Sequence, residues 1–387
     1  MIVLAGGDLV LPDRILTRAS LVIDGARIAA VEPKARVDPA AARIVETDDC
    51  YVVPGFVDVH VHGVDGYDTL DAGDAVATIA SRLPRYGVTA FCPTTVACTP
   101  QALRTVLAQV ARARVEPSPH SARVLPAHLE SNFINPDFRG AQPVECLRVP
   151  GLAEAGRDVH RPGEFSASDI LSVIAAARSE VGIVTLAPEL PGGIELVRTL
   201  VSAGHRVSLG HSGASLDEAM ASIDAGARQA THLFNCMTPM LHRAPGVAGA
   251  VLTRDEVAVE LICDGYHVHP AMSRVAITSK GVGRVMAIPD GTSGSGLAVG
   301  TAARLGGQRI RVTDYAAVLD EGTLAGSTLT MDRAFKTIVT VFGFAVTDAA
   351  MLCSTTPARE LGLNGFGVLA ADACADVVVL DRRFHVV

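Results

Sequence analysis

The chain has 387 residues and a formal net charge of −8, from 33 basic and 41 acidic side chains. This balance, without a cluster of lysine or arginine, argues against nucleic acid or an anionic membrane as a partner. The first residues lack the basic segment of a signal peptide, and no run of about 18 apolar residues occurs, so we expect a cytoplasmic protein. At roughly 150 residues per domain, the length allows two or three domains, or one large barrel with a small addition.

Both ends of the chain carry the pattern of short β-strands. Residues 1–54 hold five such runs, separated by turn residues, and no spacing typical of an amphipathic helix. Residues 376–381 have the same character. We therefore predict one small β-sandwich domain, built from residues 1–54 and 356–387.

The middle of the chain, residues 55–355, alternates apolar strand runs with amphipathic helix patterns, which is typical of a parallel sheet. Eight strands are predicted, at 55–61, 88–95, 122–130, 182–189, 206–211, 229–235, 257–264 and 284–290. Six helices are predicted between them, at 71–86, 100–114, 167–180, 194–203, 216–225 and 270–279. This alternation predicts an α/β fold, a (β/α)8 barrel of the TIM type. The alternative is an open doubly wound sheet, but no GxGxxG follows the first strand.

Barrel enzymes carry their catalytic groups at the carboxyl ends of the strands. In this chain those ends hold imidazoles and carboxylates: His60 and His62 on strand one, Glu130 on strand three, His211 on strand five, His232 on strand six and Asp290 on strand eight. Histidines two residues apart on a strand project to the same face, so His60 and His62 can hold one ion together. The pattern predicts a site for a borderline-soft divalent metal such as zinc.

The scarcity of lysine narrows the kind of metal site. The chain has three lysines, Lys34, Lys280 and Lys336, so none follows strand four, where a carbamylated lysine often bridges two ions in barrels of this kind. Glu130 is then the natural bridging or central ligand. Asp290 suits proton transfer, because a carboxylate beside an activated water can take its proton and later pass it to a leaving group.

The remaining histidine near these ligands and the cysteines have simpler structural interpretations. His128 lies two residues before Glu130 and has either a ligand role or a packing role. The eight cysteines show no CxxC spacing, and we interpret most of them as small buried hydrophobic residues. The sequence contains neither a GxSxG motif nor the surroundings of a papain-like cysteine, so it does not indicate a serine or cysteine nucleophile.

Several short segments carry a resemblance to a known family. They are PGFVDVHVHG at 54–63, HLE at 128–130, LAPE at 186–189, GHS at 210–212, HLFN at 232–235, RAPG at 243–246, DGYH at 264–267, LAGS at 324–327 and ADVVVL at 375–380. In this order, and over nearly the whole chain, they resemble the N-acetylglucosamine-6-phosphate deacetylase family of the amidohydrolase superfamily. The HxH pair by itself indicates only the superfamily, and some members of the family lack it, whereas HLFN followed by RAPG is far more specific.

The resemblance implies a homodimeric, metal-dependent enzyme that removes the N-acetyl group of an amino sugar phosphate. It implies that Glu130, His211 and His232 hold one ion and that Asp290 is the acid and base. The presence of the HxH pair allows a second ion; we expect zinc first, with iron, manganese or cobalt as alternatives. The residues that it places at the substrate are Ala141, Gln142, Asn235, Cys236, Arg243, His267, Leu324, Ala325 and Gly326. Arg243 is expected to reach the phosphate bound by the neighbouring subunit, and its planar fork of donors suits a phosphate.

The chain also departs from the family pattern. Ser131 and Asn132 replace the usual Gly-Pro after the HLE segment, and Gln142 replaces a histidine that contacts substrate in the family. The strand-eight segment is Pro-Asp290-Gly in place of Thr-Asp-Ala. We expect the first two changes to fall on loops that shape the sugar pocket. The sugar, glucosamine or galactosamine, and its phosphorylation therefore stay open.

Two other functions stay open from the sequence. One is the same fold acting on a different C–N bond, such as a cyclic amide or the amine of a base. The missing lysine argues against the cyclic amide, and no HxxE pairing follows strand five as a deaminase would prefer. The other is a non-catalytic relative that binds a sugar phosphate.

Overall fold

The two ends of the chain meet in one β-sheet. The structure, a computed structural model, describes residues 1–32, 42–151 and 164–387. The terminal strands are β1 (Ile2–Val10), β2 (Ile15–Asp24), β3 (Arg27–Glu32), β4 (Arg43–Glu46), β5 (Tyr51–Pro54) and, from the other end of the chain, β20 (Val377–Leu380). They form a six-stranded sheet of order β20-β5-β1-β2-β3, in which β4 also pairs with β1. A separate buried cluster beside this sheet contains Leu9, Leu21, Ile28 and Val52.

Eight parallel strands form a barrel in the middle of the chain. They are β6 (Phe56–Val61), β9 (Val88–Thr95), β11 (Ala127–Glu130), β12 (Val181–Leu186), β13 (Arg206–Leu209), β14 (Gln229–Ala230), β15 (Ala258–Ile262) and β16 (Val285–Ile288). Each pairs with the next, and β10 (Arg123–Val124) adds to β9 just before β11. At the carboxyl end the first and last strands meet, because His62 N–H donates to Gly291 O at 2.9 Å. The predicted barrel is confirmed, and the open sheet is not formed.

Helices surround the barrel. They are α1 (Ala75–Arg82), α2 (Pro100–Val115), α3 (Ala167–Ala176), α4 (Gly193–Ser202), α5 (Leu216–Asp224), α6 (Gly246–Thr253), α7 (Pro270–Lys280), α8 (Met331–Thr340), α9 (Val346–Ala350) and α10 (Thr356–Glu360). Each of the six predicted helices overlaps one of these, whereas α6, α8, α9 and α10 were not predicted. Helix α5 begins with a capping box, in which Ser215 Oγ accepts from Glu218 N–H and the Glu218 carboxylate accepts from Ser215 N–H. None of the helices in the described ranges has the length and apolar character needed to cross a membrane.

A small antiparallel sheet, absent from the sequence prediction, follows the eighth barrel strand. Its strands are β17 (Ala302–Leu305), β18 (Gln308–Val312) and β19 (Ala317–Leu319). The turn between the first two is Gly306-Gly307, with φ angles of +57° and +88°. Left-handed backbone at both central positions is what a tight hairpin turn with the correct twist requires, and glycine adopts it freely. A short hairpin, β7 (Gly63–Val64) and β8 (Tyr67–Asp68), lies at the same end of the barrel.

The opposite end of the barrel, its floor, is closed by apolar residues. Val57, Ile183 and Met286 from the strands form one buried cluster with Ala358 of α10, and Leu361 packs against it. Helix α10 therefore contacts the barrel, although the sequence prediction placed residues 356–387 in the small domain. The division into residues 1–54 with 356–387 and residues 55–355 stays a prediction.

Helix α2 offers a direct test of the packing around the barrel. Val106 on this helix is fully buried, whereas Val115 at its end is 79% exposed. We expect Val106→Ala to lower the free energy of unfolding by about 2 kcal/mol, because it removes two buried methyl groups and leaves a cavity. Val115→Ala, the same substitution on the same helix, should change it by less than about 0.5 kcal/mol. Urea unfolding followed by circular dichroism measures both values, and equal effects would contradict the packing described.

Candidate metal centre and pocket

The predicted site residues meet at the carboxyl end of the barrel, just beyond the ends of the strands. His211, His232 and Asp290 each lie two residues after the last residue of their strand. All three have left-handed backbone, with φ of +49°, +30° and +53°. Residues other than glycine rarely adopt this conformation, which costs about 1–3 kcal/mol and clusters at functional sites. The sequence prediction had extended these strands through the site residues, whereas the structure ends them earlier.

The first group of donor atoms consists of Glu130, His211 and His232. Glu130 Oε1 lies 2.9 Å from Nε2 of each histidine, and the two Nε2 atoms are 3.0 Å apart. His211 Nδ1 lies 2.8 Å from the carbonyl oxygen of Phe138, which can only accept, so that nitrogen carries a proton. In the neutral ring Nε2 is then unprotonated and faces Glu130 and His232.

The second group consists of His60, His62 and Asp290. The two Nε2 atoms are 3.1 Å apart, and Asp290 Oδ1 lies 3.3 Å from His60 Nε2 and 3.5 Å from His62 Nε2. The structure therefore brings together the two histidines of the HxH pair as predicted. Glu130 lies between the groups, with its Oε2 atom 3.5 Å from His62 Nε2.

The charges of the two groups shift each other's protonation. Burial alone would raise the pKa of Glu130, but the adjacent imidazoles of His211 and His232 hold it well below its ordinary value. Burial lowers the pKa of His62, but the neighbouring carboxylates of Asp290 and Glu130 outweigh it and raise this pKa to about 10. The pKa of His211 is also raised, since the charge of Glu130 outweighs the effect of burial. Buried carboxylates thus make this end of the barrel strongly attractive to cations.

The donor atoms fit a divalent metal. Zinc bonds of about 2.0–2.1 Å in a tetrahedral arrangement leave about 3.3 Å between ligand atoms, close to the 2.9–3.0 Å separations in the first group. Three buried atoms at the site, His62 Nδ1, His232 Nδ1 and Asp290 Oδ1, have no hydrogen-bond partner among the described residues. Asp290 Oδ1 lies among the donor nitrogens, where an ion would satisfy it. Imidazole and carboxylate are the ligands that zinc and iron share.

His128 supports the site from below. Its Nδ1 atom donates to Val59 O at 3.0 Å, and its Nε2 atom accepts from the hydroxyl of Thr185 at 2.7 Å. Burial lowers the pKa of His128 to about 4, so the ring is neutral. Because both ring nitrogens have partners, the structure favours the packing role over the ligand role.

Sequence reasoning missed a buried carboxylate, Glu260. It lies on β15 with no exposed surface, and its Oε2 atom is 2.8 Å from His60 Nδ1. The available signal was a single acidic residue inside the apolar run Val257–Ile262. A buried charge needs a partner, so an acidic residue in such a strand indicates a polar contact inside the barrel.

A cavity of about 190 Å³ opens beside the donor atoms. Its lining includes most of the predicted residues, namely His62, Glu130, Ala141, Gln142, His211, His232, Asn235, Cys236, His267, Asp290, Leu324 and Gly326. Gly140, Ile262 and Leu305 line it as well and were not predicted. Leu305 belongs to β17, and the Gly306-Gly307 turn after it was the signal for that hairpin.

Three predicted residues do not line this cavity. His60 is fully buried behind the cavity wall. Ala325 is also fully buried and packs in the cluster of the β17–β19 sheet, while its neighbours Leu324 and Gly326 reach the cavity. Arg243 is exposed in a tight turn, in which Leu241 and Ala244 exchange two backbone hydrogen bonds.

The first two residues that depart from the family pattern, Ser131 and Asn132, bond to the backbone of neighbouring segments. Ser131 Oγ donates to Thr185 O at 2.6 Å, and Asn132 Nδ2 donates to Cys98 O and to Cys146 O at 2.8 and 2.7 Å. Both side chains are buried against backbone and do not line the cavity, whereas Gly140, Ala141 and Gln142, later in the same segment, do line it.

Gln142 does reach the cavity, and it also holds Glu130. Its Oε1 atom accepts from Ala97 N–H at 2.7 Å, which orients the amide. Its Nε2 atom then donates to Glu130 Oε2. One oxygen of Glu130 is thus held by the amide while the other faces His211 and His232.

His267 stands on the opposite side of the donor groups and has a fixed orientation. Its Nδ1 atom lies 2.6 Å from Asp264 Oδ2, and Asp264 Oδ1 accepts from the backbone N–H of His267 at 2.9 Å. The carboxylate keeps the proton on Nδ1. The Nε2 atom of the neutral ring can then accept a hydrogen bond from a sugar hydroxyl.

Comparison with known proteins agrees with the site. The model of the amidohydrolase family matches residues 51–386. N-acetylglucosamine-6-phosphate deacetylase of Rattus norvegicus is 37% identical over 388 residues, covering 96% of this chain and 90% of the relative. The chain belongs to the N-acetylglucosamine-6-phosphate deacetylase family of amidohydrolases. The predicted resemblance is confirmed.

Other members of the deacetylase family are similarly close. N-acetylgalactosamine-6-phosphate deacetylase of Escherichia coli O157:H7 is 34% identical over 355 residues, covering 91% of this chain and 89% of the relative. A mutant of N-acetyl-D-glucosamine-6-phosphate deacetylase from Mycobacterium smegmatis, in complex with N-acetyl-D-glucosamine-6-phosphate, superposes with a TM-score of 0.86 at 32% identity. That comparison covers 100% of this chain and 96% of the other. The chain is therefore a hydrolase of the metal-dependent amidohydrolase type.

The contact between Gln142 and Glu130 leads to a prediction about metal binding. Removing a group that orients a metal ligand typically weakens the metal 10- to 100-fold, so we expect Gln142→Ala to lower zinc affinity by about that factor. Competition with a coloured chelator measures the affinity. Gln308→Ala is the matched control, because Gln308 Nε2 donates to Ala141 O on the same loop without touching Glu130. An equal loss in both variants would attribute the effect to the loop and not to the amide.

Proposed function

We propose that this protein hydrolyses the N-acetyl amide of an amino sugar 6-phosphate, releasing acetate and the free amine. The observation that carries the proposal is the pair of histidine–carboxylate groups that converge beside one cavity, with Asp290 Oδ1 left unpaired among them. The family members compared above are named for this reaction on N-acetylglucosamine-6-phosphate and on N-acetylgalactosamine-6-phosphate.

The site would hold one or two divalent ions, zinc first and iron, manganese or cobalt as alternatives. Glu130, His211 and His232 would hold one ion, and His60 and His62 with Asp290 would hold another. When bound, such an ion polarises a carbonyl group and makes a water nucleophilic near neutral pH.

Asp290 is suited to carry the proton. The imidazoles of His60 and His62, 3.3 and 3.5 Å from Asp290 Oδ1, outweigh burial and keep the pKa of Asp290 below its ordinary value, so the carboxylate is ionised. The Asp290 carboxylate would take a proton from the attacking water as the water oxygen bonds to the carbonyl carbon of the acetyl group. The same proton would then pass to the amide nitrogen as the C–N bond breaks, which completes the hydrolysis.

The amino sugar would be oriented by the rest of the cavity. His267 Nε2 would bind a sugar hydroxyl, and Asn235 with the backbone of Cys236, Leu324 and Gly326 would line the same chamber. Gln142 stands where the family has a histidine, so the substrate carbonyl would meet an amide donor that does not titrate. The choice between glucosamine and galactosamine is the part that this arrangement leaves to experiment.

A substrate screen tests the proposal directly. Zinc-loaded protein would be incubated with N-acetylglucosamine, N-acetylgalactosamine, N-acetylmannosamine and their 6-phosphates, and the free amine would be measured. We expect turnover of at least one 6-phosphate, with a higher kcat/KM than its unphosphorylated form. Turnover only of a cyclic amide or an aminated base, included as further substrates, would replace the proposal with another C–N hydrolysis.

The proton-transfer role of Asp290 gives a second prediction. We expect Asp290→Asn to lower kcat by about 10²–10⁴-fold, because an amide can neither accept nor return the proton. The Glu130, His211 and His232 group is unchanged, so elemental analysis should still find metal. The control is Asp320→Asn, the same substitution at an exposed position on the β17–β19 insertion. A fully active Asp290→Asn variant would remove Asp290 from the mechanism.

We also propose that the protein is a cytoplasmic homodimer in which Arg243 serves the neighbouring site. Arg243 is exposed, lies outside the cavity of its own chain, and carries the donors that bind phosphate bidentately. Leu241 in the same turn is 56% exposed, which suits a contact between subunits.

The shared site can be tested by mixing subunits. We expect Arg243→Ala to lower kcat/KM for the 6-phosphate by about 10- to 100-fold, the effect of losing a hydrogen bond to a charged group, and to spare the unphosphorylated sugar. The exposed Arg309→Ala is the control. Mixing Arg243→Ala with Asp290→Asn subunits should restore activity, because one site of the mixed dimer then has both residues. Failure of the mixture, with exchange shown by mass spectrometry, would place Arg243 outside the partner's site.

A further inference from the structure

A line of polar side chains crosses the barrel from its floor to His60. It begins with Glu360 and Arg206, which form an ion pair at 2.8 Å. Arg206 Nε donates to Gln229 Oε1 at 2.6 Å, and Gln229 Nε2 donates to Glu260 Oε1 at 2.5 Å. Glu260 Oε2 lies 2.8 Å from His60 Nδ1. These links join the outer surface of the floor to the donor atoms at the other end of the barrel.

The first donor determines the direction of each later bond. A guanidinium has donors only, so the oxygen of the Gln229 amide must face Arg206. The amide nitrogen then faces Glu260, and an ionised carboxylate only accepts. Glu260 can therefore bond to His60 only if His60 Nδ1 carries the proton. In the neutral ring this leaves Nε2 unprotonated, and Nε2 is the atom that faces His62 and Asp290.

The inner part of the line is closed to solvent. Gln229, Glu260 and His60 have no exposed surface, and the side chain of Arg206 is 19% exposed. Solvent therefore offers Gln229 and Glu260 no alternative partner, and a reversed bond would leave two acceptors facing each other in a medium of low dielectric constant. Exchanging donor and acceptor in any one of these hydrogen bonds is therefore costly. The direction of donation that begins at Arg206 is thus maintained through Gln229 and Glu260 to His60.

We propose that Arg206, Gln229 and Glu260 are positioning residues that hold His60 in the tautomer whose Nε2 atom can bind a metal ion. This role rests on the metal site of the proposed function, but it can be measured without the deacetylase reaction. A result that contradicts the positioning role can therefore be distinguished from one that contradicts the deacetylase function.

The Glu260→Gln variant should reverse the last link. Gln229 would still donate to the oxygen of the new amide, so the nitrogen of that amide would face His60. His60 Nδ1 would then have to accept, and the ring proton would move to Nε2. A protonated Nε2 has no lone pair for a metal.

The test is NMR of the full-length, zinc-loaded protein with nitrogen-15 in its histidines. We expect the Nδ1–H resonance of His60, assigned with a His60→Asn variant, to be present in the original protein and absent in Glu260→Gln. Zinc affinity from chelator competition should fall by about 10- to 100-fold in the same variant. Glu256→Gln is the matched control, since the Glu256 carboxylate pairs with Arg254 at 2.9 Å instead. That variant should keep both the resonance and the affinity.

The hydrogen bond from Arg206 to Gln229 can be tested by comparing two arginines that both pair with Glu360. Arg206 and Arg284 both contact the carboxylate of Glu360 at 2.8 Å, but only Arg206 also donates to Gln229. We expect Arg206→Met to weaken zinc binding on the order of 2- to 30-fold and to shift the His60 Nδ1–H resonance. Arg284→Met should do neither, and Arg206→Lys, which keeps a donor-only group, should restore part of the affinity.

Several results would overturn the role of these residues. One is an unchanged Nδ1–H resonance in Glu260→Gln. Another is an equal loss of zinc affinity in Arg206→Met and Arg284→Met. A fall in melting temperature with resonance and zinc affinity unchanged would likewise show that the line only stabilises the fold. The arginine pair keeps the test decisive if Glu260→Gln does not fold.

Discussion

The structure depends on keeping several ionisable groups away from water at one end of the barrel. Glu130, Glu260 and Asp290 are buried carboxylates, and an isolated buried charge is far too costly to persist. Each therefore lies within hydrogen-bonding or ion-pair distance of imidazoles that come from other strands. A parallel barrel suits this task, because eight strands deliver side chains to one small volume from eight directions. Apolar residues packed below them, such as Ile183 and Met286, surround these groups with a medium of low dielectric constant, which strengthens the interactions between them.

The arrangement requires strained backbone at three of its residues. At His211, His232 and Asp290 the chain leaves its strand and turns left-handed at the residue that carries the functional group. The neighbouring strands and the bond from His62 N–H to Gly291 O hold the ends of the barrel together around these positions. Local strain is thus tolerated where rigid strands surround it.

Much of the fold and of the metal site could be predicted from the sequence. The barrel follows from apolar runs, and the donor atoms follow from the residue types that come after them. Glu260 was missed because its partner, His60, lies 200 residues away, and no local pattern reports such a pairing. Helix α8 was missed although Met331, Ala334, Phe335 and Ile338 have helical spacing and are all buried. The orientation of Ser131 and Asn132 could not be predicted, because the direction of a loop side chain depends on which backbone carbonyls lie nearby, here those of Thr185, Cys98 and Cys146.

The β17–β19 sheet lines the cavity but carries none of the side chains proposed to bind metal. It brings Leu305 to the cavity and is tied to the barrel by a few bonds, such as Gly306 N–H to Asp68 Oδ2 at 3.0 Å and Ser293 Oγ to Arg304 O at 2.6 Å. None of the side chains proposed to bind metal belongs to it. Mutations in this insertion can therefore alter the wall that meets the sugar while the hydrolytic machinery stays intact. The choice of sugar and the capacity for hydrolysis are thereby placed on separate parts of the chain, so that a change at Leu305 can affect the first without the second.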